Sequence, residues 1–308
     1  METAMRNEEV GKELTGYFKE GTSSVDNDFT PPVPESSQFY CDALNDSNIN
    51  MVLNNVKPEL IVLLGFANYG KSTFVGSLFT YLFTRGIVEG YELYDSDTIS
   101  GFERRYYLRN VANDPALKSK TLRTEENDDY LLTLTFYNPS LKEKKQLIIS
   151  DRAGETYRKY VDAKERIVKD ASLPRAQRVI ILIDTTRLKD EWDILHGWFK
   201  QLFEGIKECG KMPKDADYTL LFNKIDIVEK DAKLKEAYGR YKEEVIDFFR
   251  EVLSVESLDV RELDAKHIHN NKKFEELVSN LIKKTDSAKN EESKLKKELD
   301  WVNEKLKI

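Results

Sequence analysis

The sequence predicts an α/β fold of three layers, in which a mostly parallel sheet with one antiparallel strand lies between two layers of helices. Three observations predict it. Apolar runs of strand length alternate with helical patterns along most of the 308 residues, an order that gives a parallel sheet covered on both faces. The first run, Leu60-Ile61-Val62-Leu63-Leu64, enters a glycine-bearing turn and leaves it as a helix marked by Phe74, Val75, Leu78, Phe79 and Leu82. Two later runs are joined only by residues 138–145. That linker is too short for a helical crossover, so the pair is expected to form an antiparallel hairpin.

Taken in order, residues 1–57 form an N-terminal arm with a break at Thr30-Pro31-Pro32-Val33-Pro34. The small, polar stretch 21–28 reads as a loose lead-in, while Phe39, Tyr40, Leu44 and Met51 suit docking of the second half. The main domain spans 58–285, with strands expected near 60–65, 130–137, 146–150, 178–184, 218–223 and 257–263. Between the first two strands lies an enlarged segment, about 85–127. There Ile99, Phe102, Tyr106 and Val111 keep helical spacing until Asp114-Pro115 interrupts it. Trp192, His196 and Trp198 read as packing positions of a later helix, and Leu234, Tyr238, Tyr241, Val245, Phe248 and Leu253 as the core face of another. Residues 286–308 read as a C-terminal helix in which Leu295, Leu299, Val302 and Leu306 form a short heptad seam, expected to dock back on the domain.

Composition narrows the function classes. A formal net charge of −7 argues against electrostatic binding to nucleic acid or an anionic membrane. Only Cys41 and Cys209 are present, which points to reduced thiols rather than a disulfide framework. Met1-Glu2-Thr3-Ala4-Met5-Arg6 lacks the apolar run expected of a signal peptide, and no run approaches the ~18 apolar residues of a membrane span. A cytoplasmic protein is expected. His267 and His269 lack a third ligand nearby in the sequence, so a metal site there is not expected.

Four short motifs carry the chemistry. Gly65-Phe66-Ala67-Asn68-Tyr69-Gly70-Lys71-Ser72 matches G-x-x-x-x-G-K-[ST] in the context that wraps backbone N–H groups around a phosphate at a helix start. Gly65, Ala67, Asn68, Tyr69, Gly70 and Thr73 would line the phosphates, Lys71 would reach the β- and γ-phosphates, and the Ser72 hydroxyl would hold Mg²⁺. Asp151-Arg152-Ala153-Gly154 follows an apolar run. Asp151 would hold Mg²⁺ through a water, and the Gly154 N–H would approach the γ-phosphate. Asn223-Lys224-Ile225-Asp226 also ends an apolar run, and the Asp226 carboxylate can accept from both guanine N–H donors. Adenine offers neither donor there and would leave that carboxylate unpaired. Asn223 would bridge base and phosphate loop, Lys224 would lie over the base, and Ala265 with Lys266 in Leu263-Asp264-Ala265-Lys266 would close the base pocket. GTP or GDP is the expected ligand, with Mg²⁺ as cofactor.

In order and context these motifs resemble those of TRAFAC-class P-loop GTPases, with the Ras-like fold, over roughly 59–283. The opening Leu63-Leu64-Gly65-Phe66-Ala67-Asn68-Tyr69-Gly70-Lys71-Ser72 and the long stretch before D-x-x-G are similar to the bacterial double-GTPase family of conflict systems. The resemblance implies a first-switch threonine that ligates Mg²⁺ and senses the γ-phosphate. Thr121 and Thr124 are the candidates, with Thr124 nearer the next strand. Glu155 stands where Ras-like enzymes carry a water-orienting glutamine, and it reads either as that residue or as a solvated switch residue. Arg123, Arg152 and Arg158 are candidate cations for the developing charge, or else surface ion-pair residues. Asn68 occupies the position of an asparagine that helps some GTPases hold K⁺, or it merely suits the turn. The implied function is slow GTP hydrolysis that switches a protein effector. The alternative is a non-hydrolysing guanine-nucleotide scaffold.

Overall fold

Isoleucine, valine and leucine fill both faces of the first strand, β1 (Glu59–Leu64), which is buried at every position except Leu60. Such a strand is stable only when covered on both sides. The computed structural model describes residues 43–45, 48–49, 58–111, 130–213, 215–255, 258–266 and 271–283. Most of the N-terminal arm, Thr121, Arg123, Thr124, His267, His269 and the segment 286–308 lie outside the described residues.

After β1 come α1 (Lys71–Arg85), the short β2 (Ile87–Val88), β3 (Tyr91–Asp95) and α2 (Ile99–Val111). The hairpin expected from the short linker follows as β4 (Leu131–Asn138) and β5 (Glu143–Ser150), paired antiparallel along their full length. Then come α3 (Gly154–Asp162), α4 (Lys164–Val168), β6 (Arg178–Asp184), α5 (Leu188–Glu208), β7 (Asp217–Asn223), α6 (Ile225–Val228), α7 (Ala232–Leu253), β8 (Asp259–Leu263) and α8 (Lys272–Ile282).

The strands form one sheet in the order β2-β3-β4-β5-β1-β6-β7-β8. β1 pairs parallel with β5 on one side and β6 on the other, and β7 and β8 continue in parallel. The antiparallel edge is longer than the sequence suggests. β3 pairs antiparallel with β4, and β2 with β3, so both β2 and β4 run against the rest. Strand order therefore reverses beside β1. The crevice beyond the carboxyl ends of its neighbours is where open α/β sheets bind ligands.

Helices cover the sheet through aromatic contacts. Phe74 and Tyr81 of α1 meet Phe274 of α8 at ring-centroid distances of 6.2 and 5.5 Å. Phe199 and Phe203 of α5 meet Phe249 of α7 at 5.2 and 5.8 Å. His196 stacks on Trp192 and touches Phe248, a packing position at the same seam. Asp231 caps α7 by accepting from the N–H groups of Lys233 and Leu234, and Asn271 caps α8 through that of Phe274. Leu44 of the arm bridges to Leu131 and is buried with it and Ile148. No helix of the described residues is long and apolar enough to cross a membrane.

Near the amino ends of the strands, charge closes α8. Lys145 Nζ donates to the carbonyls of Ile282 and Lys283 at 2.7 and 2.9 Å, and Arg178 donates to those of Asn280 and Lys283 at 2.5 and 2.6 Å. Glu59 lies 3.0 Å from Lys145 Nζ and 3.5 Å from Arg178 Nε. Two cations thus satisfy the orphan carbonyls at the helix C-terminus. Burial pulls the Lys145 ammonium below its ordinary pKa, and Glu59 opposes that shift. Replacing Lys145 by Met removes one cation and leaves the Ile282 carbonyl without its donor, while the Lys283 carbonyl keeps Arg178. The expected loss in urea unfolding is about 3–5 kcal/mol. A loss below about 1 kcal/mol would show that water substitutes for the ammonium.

Candidate functional site

The turn between β1 and α1 is shaped by where side chains cannot go. A Cβ on Gly65 would stand 3.0 Å from the Leu182 carbonyl of β6. Gly70 has φ 90°, and a Cβ there would lie 2.3 Å from Asn223 Nδ2, so only glycine fits. Asn68 also has a left-handed φ, 66°, which asparagine tolerates, and its side chain is exposed. α1 begins on Gly70, which has no side chain to cap the first N–H groups. Lys71 is buried and curls back over the loop, donating to the carbonyls of Gly65 at 2.8 Å and Phe66 at 3.2 Å. Ala67, Ser72 and Thr73 are half-buried around it. Behind the loop, Phe66 packs on Tyr69, Trp198 and Phe199 at 5.8, 5.5 and 4.7 Å.

The D-x-x-G segment meets this loop directly. Asp151, fully buried at the end of β5, accepts from the Ser72 hydroxyl on Oδ1 at 3.2 Å. A hydroxyl and a carboxylate converging in this way form a hard-oxygen pair suited to Mg²⁺. Gly154 opens α3 against the loop, where a Cβ would fall 2.2 Å from Ala67 N. Glu155 lies half-buried in the first turn of α3, beside that contact.

Two of the arginines suggested by the sequence have other partners. Arg152 is buried, ion-paired with Asp170 and hydrogen-bonded to the hydroxyls of Tyr160 and Tyr130. Burial opposes its charge, but Asp170 and the tyrosines outweigh that and hold the guanidinium protonated. It is a structural cation, not a surface one. Arg158 pairs with Asp162 at 3.1 Å and lies 4.3 Å over the Trp198 ring.

The third cluster assembles at the ends of β7 and β8. Asn223 Nδ2 donates to the Tyr69 carbonyl of the loop at 2.9 Å, and its Oδ1 accepts from the Ala265 N–H at 3.1 Å. Ala265, expected from sequence to address the base, thus directs its N–H at Asn223. Its carbonyl accepts from the Ser77 hydroxyl of α1 at 2.5 Å. The Lys266 N–H donates to Asp264 at 2.9 Å. Lys224 adopts a left-handed φ of 65° and pairs through Nζ with Asp184 at 2.5 Å. Asp226 lies half-buried in α6, with no ion-pair or hydrogen-bond partner among the described residues.

Sequence reasoning missed four members of this arrangement. Asp184 ends β6 and Thr185 follows it, and the Thr185 hydroxyl donates to the Asn223 carbonyl at 2.6 Å. Their position at the carboxyl end of a fully apolar run was the available signal. Ser77 looks like any small helical residue. Arg105 donates through Nε to Asp151 Oδ2 at 2.6 Å, and nothing local in the sequence marks it.

One family model, described as Double-GTPase 2, matches residues 59–282, more than half of the chain. No curated protein matches it. Among solved structures it is similar to the crystal structure of a bacterial selenocysteine-specific elongation factor, with 14% identity and a TM-score of 0.35. The match covers 68% of this chain and 26% of that one, so the chain spans well under half of that protein's length.

Gly70→Ala tests the bridge between loop and β7. Its methyl would displace the Asn223 amide and strain the left-handed turn, at an expected cost of about 1–3 kcal/mol in urea unfolding. Unchanged stability would mean that the Asn223–Tyr69 bond contributes nothing.

Proposed function

This chain belongs to the Double-GTPase 2 family, and we propose that it binds GTP with Mg²⁺, hydrolyses it to GDP and phosphate, and so switches its affinity for a protein partner. The observation that carries this reading is the direct bonding of the phosphate loop, the Asp151 segment and the Asn223 segment at the carboxyl ends of neighbouring strands. Each of the three motifs would be unremarkable alone. Together they offer a phosphate cradle, a metal-binding oxygen pair and a carboxylate for guanine.

The residues then take these roles. N–H groups from Ala67 to Thr73 and the Lys71 ammonium surround the phosphates, and Lys71 exchanges its hold on the Gly65 and Phe66 carbonyls for phosphate oxygens. Ser72 and Asp151 would hold Mg²⁺, which when bound neutralises charge on the β- and γ-phosphate oxygens. Asp226 selects guanine, Lys224 covers the base, and Asn223 fixes the pocket wall by holding Tyr69 and Ala265 together. Glu155 orients the water that attacks the γ-phosphorus, the bond to the β,γ-bridging oxygen breaks, and GDP and phosphate leave. Thr124 and the turn after Gly154 lose their γ-phosphate contacts at that point, and the change is read by the partner. We place the GTPase domain at 58–285, between an arm at 1–57 and a C-terminal helix at 286–308, in a cytoplasmic protein of a bacterial conflict system.

A scaffold that binds guanine nucleotide without turnover is favoured by one specific observation. Arg152 and Arg158 are held by Asp170 and Asp162, and a carboxylate stands at 155 in place of glutamine.

Phosphate release from GTP and ATP by wild type and Lys71→Ala separates these readings. Turnover confined to GTP and lost in the variant supports the enzyme, tight GTP binding without release supports the scaffold, and equal turnover of ATP would overturn both. Asp226→Asn is expected to weaken GTP binding by ~30- to 100-fold and to admit xanthosine triphosphate. Unchanged GTP affinity would remove the base-specificity argument.

A further inference from the structure

The segment between the phosphate loop and D-x-x-G delivers a cation to the metal-binding carboxylate. α2 crosses α1 at Gly76, where a Cβ would stand 3.5 Å from the Arg105 carbonyl and 3.6 Å from Tyr106 Cβ. This close approach lays Arg105 over the start of β5's exit turn. Its guanidinium is 3% exposed, against an Asp151 side chain that is 0% exposed. Nε donates to Asp151 Oδ2 at 2.6 Å and Nη1 to the Gly101 carbonyl at 2.8 Å, while the buried Nη2 has no hydrogen-bond partner among the described residues. The same carboxylate accepts from Ser72 on its other oxygen.

We propose that Arg105 is a positioning residue that competes with Mg²⁺ for Asp151, so that metal loading is coupled to a shift of α2. The inference rests on the reading of Ser72 and Asp151 as the Mg²⁺ pair. A divalent ion held there shares its carboxylate with a fixed positive charge, and two cations on one buried anion repel. Without Asp151, a buried guanidinium is uncompensated, and the helix that carries it must yield. Arg105 therefore raises the Mg²⁺ concentration needed to retain nucleotide and gives α2 a resting position.

The test is release of a fluorescent GDP analogue across a Mg²⁺ titration, in full-length wild type, Arg105→Gln and Arg105→Lys. Arg105→Gln is expected to need at least about tenfold less Mg²⁺ for half-maximal retention, because the competing charge is gone. Arg105→Lys, which keeps the charge, is expected to retain the wild-type requirement. An unchanged or higher requirement in Arg105→Gln overturns the inference, as does Arg105→Lys behaving like Arg105→Gln. A measurement on wild type alone covers the case in which the variants fail to fold. Hydrogen exchange across residues 99–111, measured with GDP held at saturating concentration throughout, is expected to rise when Mg²⁺ replaces chelator, and identical exchange overturns the coupling. Failure of wild type to bind GDP at all overturns the nucleotide reading and this inference with it, whereas binding with an unaltered Mg²⁺ requirement across the variants overturns this inference alone.

Discussion

The side chain of Asn223 is the bond on which the site depends. One amide, at the end of β7, donates to the phosphate loop after β1 and accepts from the turn after β8. It is buried, and an unsatisfied amide there would cost about 1–3 kcal/mol, so neither partner can drift without penalty. The constraint propagates outward. Gly70 must lack a side chain because the amide occupies its Cβ position, and the Ala265 turn is tied in addition to Ser77 of α1. Three loops from separated stretches of sequence become one wall.

The phosphate loop is held from behind as firmly as it is held from the side. Phe66 and Tyr69 are large aromatics inside a turn whose other residues are small, and both point into the helical layer rather than toward the crevice. Trp198 extends that backing and is itself capped by Arg158. The second residue of D-x-x-G plays a similar part. Arg152 locks the turn after β5 to Asp170 through a buried ion pair and two tyrosine hydroxyls. Arg152 and Arg158, the arginines on either side of Gly154, are therefore held by the scaffold.

Much of this was legible in the sequence because each motif is local. A strand-length apolar run followed by glycines, an N-K-x-D or a D-x-x-G fixes both the element and the place at its carboxyl end, and six strands and the hairpin follow from such runs. β2 and β3 escaped because a two-residue edge strand shows no alternation and β3 is largely open to water. Arg105 escaped for a different reason. Its partner lies 46 positions away, and on an amphipathic helix nothing local separates an arginine that turns inward from one that faces solvent. The burial of Arg152 was hidden in the same way, since Asp170 and Tyr130 reach it from other turns.

The charge cluster of Glu59, Lys145 and Arg178 has a mechanical consequence. It fastens the last turn of α8 near the amino ends of β1, β5 and β6, while the nucleotide-facing loops all leave from their carboxyl ends. Force applied to the chain beyond Lys283 is therefore transmitted into the opposite rim of the sheet, along strands whose hydrogen-bond ladders resist shear. A load on that tether would leave the crevice undistorted until the anchoring carbonyls gave way, which makes the rim a strain relief for the site.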